Sequence, residues 1–427
     1  MNEYVEKQFK YISLDEALEK IIHYSRLSPS VINIDVYRSL GYVLAEDVVS
    51  PISIPRDTVA HFDGYAVRSS DTLKASTVNP VRLKVVGRID SIKEHNLSIR
   101  EGETVYVVTG AKMPGGADAL VPVERTRRYG ESIEILEPVK RGEHVTFRGA
   151  DIEAGESVQR RGDVIRPQTI KFLLDAGISR IKVYAKPRIA IIGVGDELTI
   201  RREEVDGKKL ETSSTMIHYY VNEFGGIPTR VNPVPDNPNQ IIQVVKNSLR
   251  QNDVCVTIGG VSLGPRDLCW TTLSKLPESI PIARGLRVQP GRATSIILLN
   301  GKPVIMLPGH IQSTISGAIN ILIPLLLYMQ GLQSRDFFPK ISAEMDEDLI
   351  VKEYSSFTRI RFVKLFKDGD RYRARAILGD SSMIRPLILS NGFIKIPEKV
   401  EKINRGSIVE VYLLSWLDVM HLFSNIR

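Results

Sequence analysis

The β-branched run "DVCVTI" (253–258) ends in Gly259 and Gly260, and Ser262, Gly264 and Asp267 follow within "GGVSLGPRD". Such a junction suits an anion. Glycines let the backbone come close without Cβ interference, Ser262 offers a hydroxyl, and a helix starting near Pro265 presents free N–H groups with partial positive charge. Asp267 then falls in that helix's first turn. A bare carboxylate beside a phosphate repels it, so a divalent cation bridging the two is the favoured arrangement. Glu197, in "GVGDE" (193–197), is placed to complete an oxygen-rich Mg²⁺ site. The alternative is that both carboxylates sit at helix N-termini, stabilised by the dipole without any metal.

Ligands of doubly wound sheets bind beyond the carboxyl ends of the strands. Three ends qualify here: "GVGDE", "GGVSLGPRD" and "LPGHIQST" (307–314). "FDGYAV" (62–67) and "TGAKMPGGADALVPVE" (109–124) are glycine-rich stretches that hairpins alone would explain. Asp63, Asp118, Asp151 and Asp236 are turn aspartates, for which side-chain capping is the default role. The seven histidines show no metal-ligand spacing, and no catalytic triad or nucleophile elbow is present.

These residues need a scaffold. Ser13 and Glu16 in "SLDEALEKII" have capping-box spacing, so a helix should start near Leu14 and bury Leu18, Ile21 and Ile22. Residues 51–142 carry short alternating or β-branched strands between Gly and Pro turns, which makes them a small β domain. "RPQTIKFLLDAGI" restores helical spacing, so 1–50 and 143–185 form a split helical domain into which the β domain is inserted. Residues 186–332 alternate strands with helices. That pattern implies a doubly wound α/β domain with a parallel sheet and right-handed crossovers, with helices at about 214–224 and 237–249. From 333 to 427 short strands return, as a final small barrel or sandwich. The fold class is therefore α/β multidomain.

The 427 residues carry 57 Lys and Arg against 50 Asp and Glu, a net charge of +7 spread along the chain without a basic block. That distribution argues against nucleic acid and is compatible with a basic cleft for an oxyanion. Cys255 and Cys269, the two cysteines, lack zinc or disulfide spacing and point to a reducing cytoplasm. The N-terminus has no apolar signal core. The most apolar stretch, 315–329, contains Asn320 and Pro324 and is read as a buried helix, not a membrane span.

Taken in order, "GYVLAEDV", "FDGYAV", "VTGAKMPGGADALVPVE", "RGADIEAGESV", "PRIAIIGVGDEL", "GGVSLGPRD", "MLPG" and "SNGFIKIP" resemble the MoeA family of molybdopterin molybdenumtransferases, whose fold is shared by the C-terminal half of gephyrin. The resemblance spans essentially the whole chain. It implies a central molybdopterin-binding domain of the MogA-like type and a C-terminal β-barrel domain, in a homodimer with its active site in a cleft between subunits. The implied reaction hydrolyses molybdopterin-AMP with Mg²⁺ and inserts molybdenum, or tungsten, from molybdate or tungstate into the pterin dithiolene. A molybdopterin adenylyltransferase of the MogA/MoaB type is the implied upstream partner. By the resemblance, Glu197 and Asp267 match the Mg²⁺ ligands, and Gly259, Gly260, Ser262 and Gly264 match the phosphate-contacting turn. Asp63, Thr109, Asp151 and Asp236 match positions of the active cleft. Pro290, Gly291 and Arg292 match one oxyanion loop, and Pro308, Gly309 and Ser313 the other.

The chain departs from the family at both oxyanion loops. It has "QPGRA" (289–293) where the family reads "KPGKP", and "PGHIQS" (308–313) where it reads "PGNPVS". Glu211, Thr212 and Ser213 replace "D-S/T-N", and "VAHFDGYA" replaces "NSAMDGYA". Losing a lysine removes a point charge, whereas arginine in place of lysine changes reach and donor geometry. These departures motivate a second reading, a degenerate paralogue serving as a pterin-nucleotide-binding dimeric scaffold. The family's C-terminal-domain arginine aligns with either Arg359 or Arg361.

Overall fold

A computed structural model describes residues 10–90, 95–201, 203, 207–261, 267–332, 338–415 and 417–420. The chain divides into two compact units. One gathers Met1–Ile34, Ser39–Ala45 and Lys182–Arg427; the other gathers Asp35–Arg38 and Glu46–Ile181.

In the larger unit, helix α1 (Leu14–Tyr24) starts at the expected cap, where Ser13 Oγ accepts the Glu16 N–H at 3.1 Å. It buries Ala17 and Ile21, while Leu18 and Ile22 are half-buried. The central sheet comprises β1 (Arg188–Val194), β2 (Ile227–Val234), β3 (Val254–Ile258), β4 (Ser279–Arg284), β5 (Ser295–Leu299) and β6 (Lys302–Leu307), in the order β2-β1-β3-β6-β5-β4. Its inner strands β1, β3, β5 and β6 are near-continuous apolar runs because both faces are covered, whereas the edge strands β2 and β4 are more exposed. Alternate residues serve opposite cores: Ile189, Ile191, Val254, Val256 and Ile305 face one, and Ala190, Ile192, Cys255, Val304 and Met306 the other. Helix α2 (Ser213–Glu223) covers the first face with Ile217 and Val221. Helix α3 (Pro238–Gln251), capped by Asn237, covers the second with Ile241, Val245 and Leu249.

The sheet is not wholly parallel. β2, β1, β3 and β6 run parallel, but β5 is antiparallel to both β6 and β4. The reason is local: Asn300 and Gly301 both take left-handed φ (53° and 77°), forming the tight hairpin turn that joins β5 to β6.

Beyond β3 lies the short helix α4 (Leu268–Leu273). Beyond β6 the chain enters α5 (Ile311–Gly317), passes through a π-turn (Ala318–Leu322) and continues as α6 (Ile323–Met329). This 19-residue stretch is long and apolar enough to span a membrane, but most of it is buried against the sheet, as expected for a core helix.

Residues after 338 form β7 (Lys340–Met345), β8 (Thr358–Asp368), β9 (Arg371–Ala376), β10 (Gly392–Ile396) and β11 (Ile408–Tyr412). They pair around the ring β8-β9-β7-β11-β10, and β10 returns to β8, so the barrel closes. A two-residue strand, Val288–Gln289, leaves the α/β layer and pairs alongside β8, with Gln289 opposite Arg359.

The smaller unit holds a six-stranded sheet in the order Ala119–Pro122, Gly64–Val67, Glu103–Val107, Val81–Ile89, Ser132–Ile135, Thr126–Tyr129. Within the same unit Val145–Thr146 pairs with Val59–Ala60, Ser157–Gln159 pairs with Val48–Val49, and one helix spans Pro167–Asp175.

Candidate active site

The carboxyl ends of β1, β2 and β3 converge. The Gly195 N–H donates to Val234 O at 3.0 Å, and the Asp236 N–H to Asp196 Oδ1 at 3.0 Å. Gly259 and Gly260 both take left-handed φ (90° and 63°). A Cβ on Gly259 would overlap the Val194 carbonyl, and one on Gly260 would lie 2.7 Å from Cys269 Sγ. The two glycines are thus required by the packing of adjacent strand ends. The Gly259 N–H is already spent on Leu307 O at 3.0 Å, so this residue contributes close approach and not a free donor. Ser262, Gly264 and Pro265 lie outside the described residues.

Asp267 precedes helix α4, which begins at Leu268, as its N-cap and so does not sit within the first turn. Its carboxylate accepts the Trp270 N–H at 3.3 Å and faces Arg284 Nη2 at 3.5 Å. The residue is only 1% exposed. Burial pushes its carboxyl up to about 6 even though Arg284 and the Trp270 N–H pull it down. Burial raises the Cys269 thiol to about 12, and the charges of Asp267 and Asp236 add to the rise. Glu197 is exposed and turns its carboxylate back over Gly195, where an added Cβ would stand 2.5 Å from Oε2. Among the described residues no three His, Cys, Asp or Glu side chains surround a common point.

A second feature lies beyond β6. A cavity of about 720 Å³ is bounded by Gln289, Pro290, Gly291 and Arg292 on one side and by Pro308, Gly309, His310, Gln312 and Ser313 on another. The barrel supplies Glu353, Tyr354, Arg361 and Asp380. The two loops touch through Gly291, whose added Cβ would lie 3.1 Å from Ser316 Oγ and 3.4 Å from Ser313 O. Arg292 lies over the Tyr354 ring at 4.9 Å. Both loops expected to receive an oxyanion therefore face one cavity.

The two candidate arginines separate. Arg359 is fully buried and donates to Pro397 O and to Val400 O, the latter at 2.9 Å, so it staples the barrel. Arg361 lines the cavity, and burial together with neighbouring Arg359 lowers its pKa, because both disfavour the charged form.

In the smaller unit, Asp63 Oδ1 accepts both the N–H and the hydroxyl of Thr109, at 2.7 and 2.8 Å, and these bonds hold its carboxyl below the ordinary range. Asp151 is exposed, and its N–H donates to Ile54 O at 3.1 Å.

Two site residues were not anticipated. Arg284, from β4, is the charge partner of Asp267, and no spacing rule links positions 17 apart across a hairpin layer. Glu211 is buried and caps α2, accepting the Ser214 N–H at 2.8 Å and the Ser214 hydroxyl, with Arg230 Nη2 at 4.0 Å. Its signal was the acidic residue two positions before the helix.

Family models match the chain in three consecutive blocks: the MoeA N-terminal region (domain I and II) over residues 12–177, a "Probable molybdopterin binding domain" over 190–328, and the MoeA C-terminal region (domain IV) over 343–414. The molybdopterin molybdenumtransferase of Staphylococcus epidermidis is 29% identical over 406 residues, covering 94% of this chain and 95% of that protein. The enzyme of the same name from Staphylococcus aureus is 29% identical over 350 residues, 82% of each. A solved structure of the molybdopterin biosynthesis MoeA protein of Pyrococcus horikoshii superposes with a TM-score of 0.84 at 31% identity, covering 95% of this chain and all of that one. With an α/β layer ending in an acidic cluster, a closed barrel beside it and three family regions in sequence, the chain belongs to the MoeA family and to molybdenum cofactor biosynthesis.

Proposed function

We propose that this protein is a molybdopterin molybdenumtransferase that hydrolyses molybdopterin-AMP in a Mg²⁺-dependent step and transfers molybdenum, from molybdate or its tungsten analogue, to the pterin dithiolene. The observation that carries this reading is the cavity that gathers Arg292, Ser313 and Arg361 beside the acidic strand tips. Two guanidiniums and a hydroxyl are the donors that a tetrahedral oxyanion needs, and arginine provides them in a planar fork.

The strand tips suit Mg²⁺. Asp267 is a desolvated carboxylate whose pKa is raised by burial, and Glu197 follows the neighbouring strand; Mg²⁺ is commonly held by one or two carboxylates plus substrate phosphates. Glu197 and Asp267 would hold the ion, which when bound offsets the charge of the adenylate phosphates. Asp236, by its matching position, would face the same substrate. The Asp63–Thr109 pair and Asp151 are assigned to the family's cleft by their matching positions. Gly259, Gly260, Pro290, Gly291, Pro308 and Gly309 shape the two walls. This reading carries with it the four-part domain division, a cytoplasmic homodimer and an upstream adenylyltransferase.

The scaffold reading fares less well. Arg292, Ser313 and Arg361 line one cavity despite the changed loops, which supports the enzyme over the scaffold. The test is turnover of molybdopterin-AMP by the purified protein with and without Mg²⁺ and molybdate. Adenylate release should need both; release indifferent to both sinks the proposal.

A further inference from the structure

One of the loops that depart from the family pattern, "PGHIQS", grips the barrel. Gln312 is buried, and its Nε2 donates to Asp380 O at 2.5 Å and to Met383 O at 3.0 Å, while its backbone N–H donates to Ser381 O at 3.0 Å. His310 Nδ1 lies 2.9 Å from Ser381 Oγ. The strap they hold, residues 378–384, connects β9 to the following helix (Arg385–Leu389) and forms one wall of the oxyanion cavity. Leu378, Met383 and Ile384 are exposed, so little apolar burial anchors the strap, and its position depends on these polar ties. Internally it is drawn into a turn by the Asp380 carboxylate, which accepts the Ser382 N–H and hydroxyl at 3.1 Å each. A valine at 312, as in the family pattern, has no side-chain donor for either carbonyl.

We propose that His310 and Gln312 are positioning residues that tether the 378–384 strap as a fixed wall of the oxyanion cavity. The substitutions in this loop thereby exchange one means of shaping the site for another. This inference rests on the cavity being the oxyanion site; the tether itself does not.

The test is hydrogen exchange of the 378–385 segment together with oxyanion kinetics, in wild type and in Gln312→Val, Gln312→Met and His310→Ala. Gln312→Met keeps the length and volume of the side chain and removes only the amide, so it separates hydrogen bonding from packing. Both Gln312 variants should speed exchange of the strap about tenfold and raise the KM for molybdate about tenfold, the worth of one or two hydrogen bonds. Turnover at saturating molybdate should stay within about threefold. His310→Ala should show a smaller change of the same kind and serves if the Gln312 variants fold poorly. Unchanged exchange overturns the proposal, and so does a freed strap with an unaltered KM. Wild type that turns over with neither molybdate nor tungstate would bring down the proposed function, while the exchange measurement would still decide the tether.

Discussion

The acidic strand tips and the arginine-bearing cavity are built by opposite routes. The tips arise inside one sheet, where Gly259, Gly260 and Asp267 follow β3 within a few residues and Glu197 follows β1, its in-register neighbour. The cavity needs residues far apart in the chain: Arg292 from a turn between layers, Ser313 from the start of α5 and Arg361 from the barrel. At the tips Asp267 is desolvated, its carboxyl raised to about 6; the cavity is lined by Arg292 and by Arg361, whose charge burial opposes. A short contact links them, since an added Cβ on Gly309 of the cavity would lie 3.7 Å from Cα of Gly259 at the tips. A substrate bearing both phosphate and an oxyanion acceptor could thus meet both charges at once.

The largest effect is expected at Asp267. Asp267→Asn removes the buried anion but keeps a hydrogen-bonding cap, so adenylate release should fall about a thousandfold, several kcal/mol of charge stabilisation, with the fold intact. A single-turnover assay with a melting curve checks both halves; unchanged turnover would reduce Asp267 to a helix cap.

Next come the two arginines. Arg359→Ala removes a fully buried guanidinium that donates to the Pro397 and Val400 carbonyls, and should destabilise the protein by about 2–4 kcal/mol, while the folded fraction retains its molybdate KM. Arg361→Ala should do the reverse, with little loss of stability and KM raised at least about tenfold. Denaturant titration beside kinetics distinguishes them, and equal effects from both would erase the distinction drawn between staple and ligand.

A pH series sharpens the charge contrast. The folded Asp267 carboxyl titrates at about 6 and the unfolded one near the ordinary aspartate value of about 4, so the native state binds more protons in between. This group's contribution to stability is therefore fully present below about pH 4 and is lost as pH rises through about 6, by up to ~3 kcal/mol. Asp418, also pushed to about 6 by burial, adds an effect of the same sign. Melts in chelator should show the decline, and Asp267→Asn should remove only its own share. Added Mg²⁺ should restore stability chiefly above pH 6, because it binds the deprotonated carboxylate.

The smallest effect concerns the lost lysine. If Arg292 and Arg361 already supply the positive charge, Gln289→Lys should improve molybdate affinity by less than about threefold. A gain of tenfold or more by calorimetry would revive the degenerate-scaffold reading.

Much of this was legible in the residues themselves. Continuous β-branched runs ending in glycine identified the buried strands and the candidate site at their ends, because a strand covered on both faces has no polar alternation and a close turn excludes Cβ. The Ser13 cap and the 213–223 and 238–251 helices followed from local rules of the same kind. The antiparallel β5 was also written locally, in Asn300-Gly301, a hairpin signal outweighed by the α/β pattern around it. Other features were decided only in three dimensions. Nothing in the alternation of β8 told Arg359 from Arg361; the closure of the barrel turned one into a staple and left the other in the cavity. The pairing of Arg284 with Asp267 and the grip of Gln312 on the 380–383 turn likewise join residues 17 and about 70 positions apart. Local chemistry constrains a few neighbouring dihedrals and caps, whereas the partner of a buried charge is chosen by whichever distant backbone the packing brings within hydrogen-bond reach.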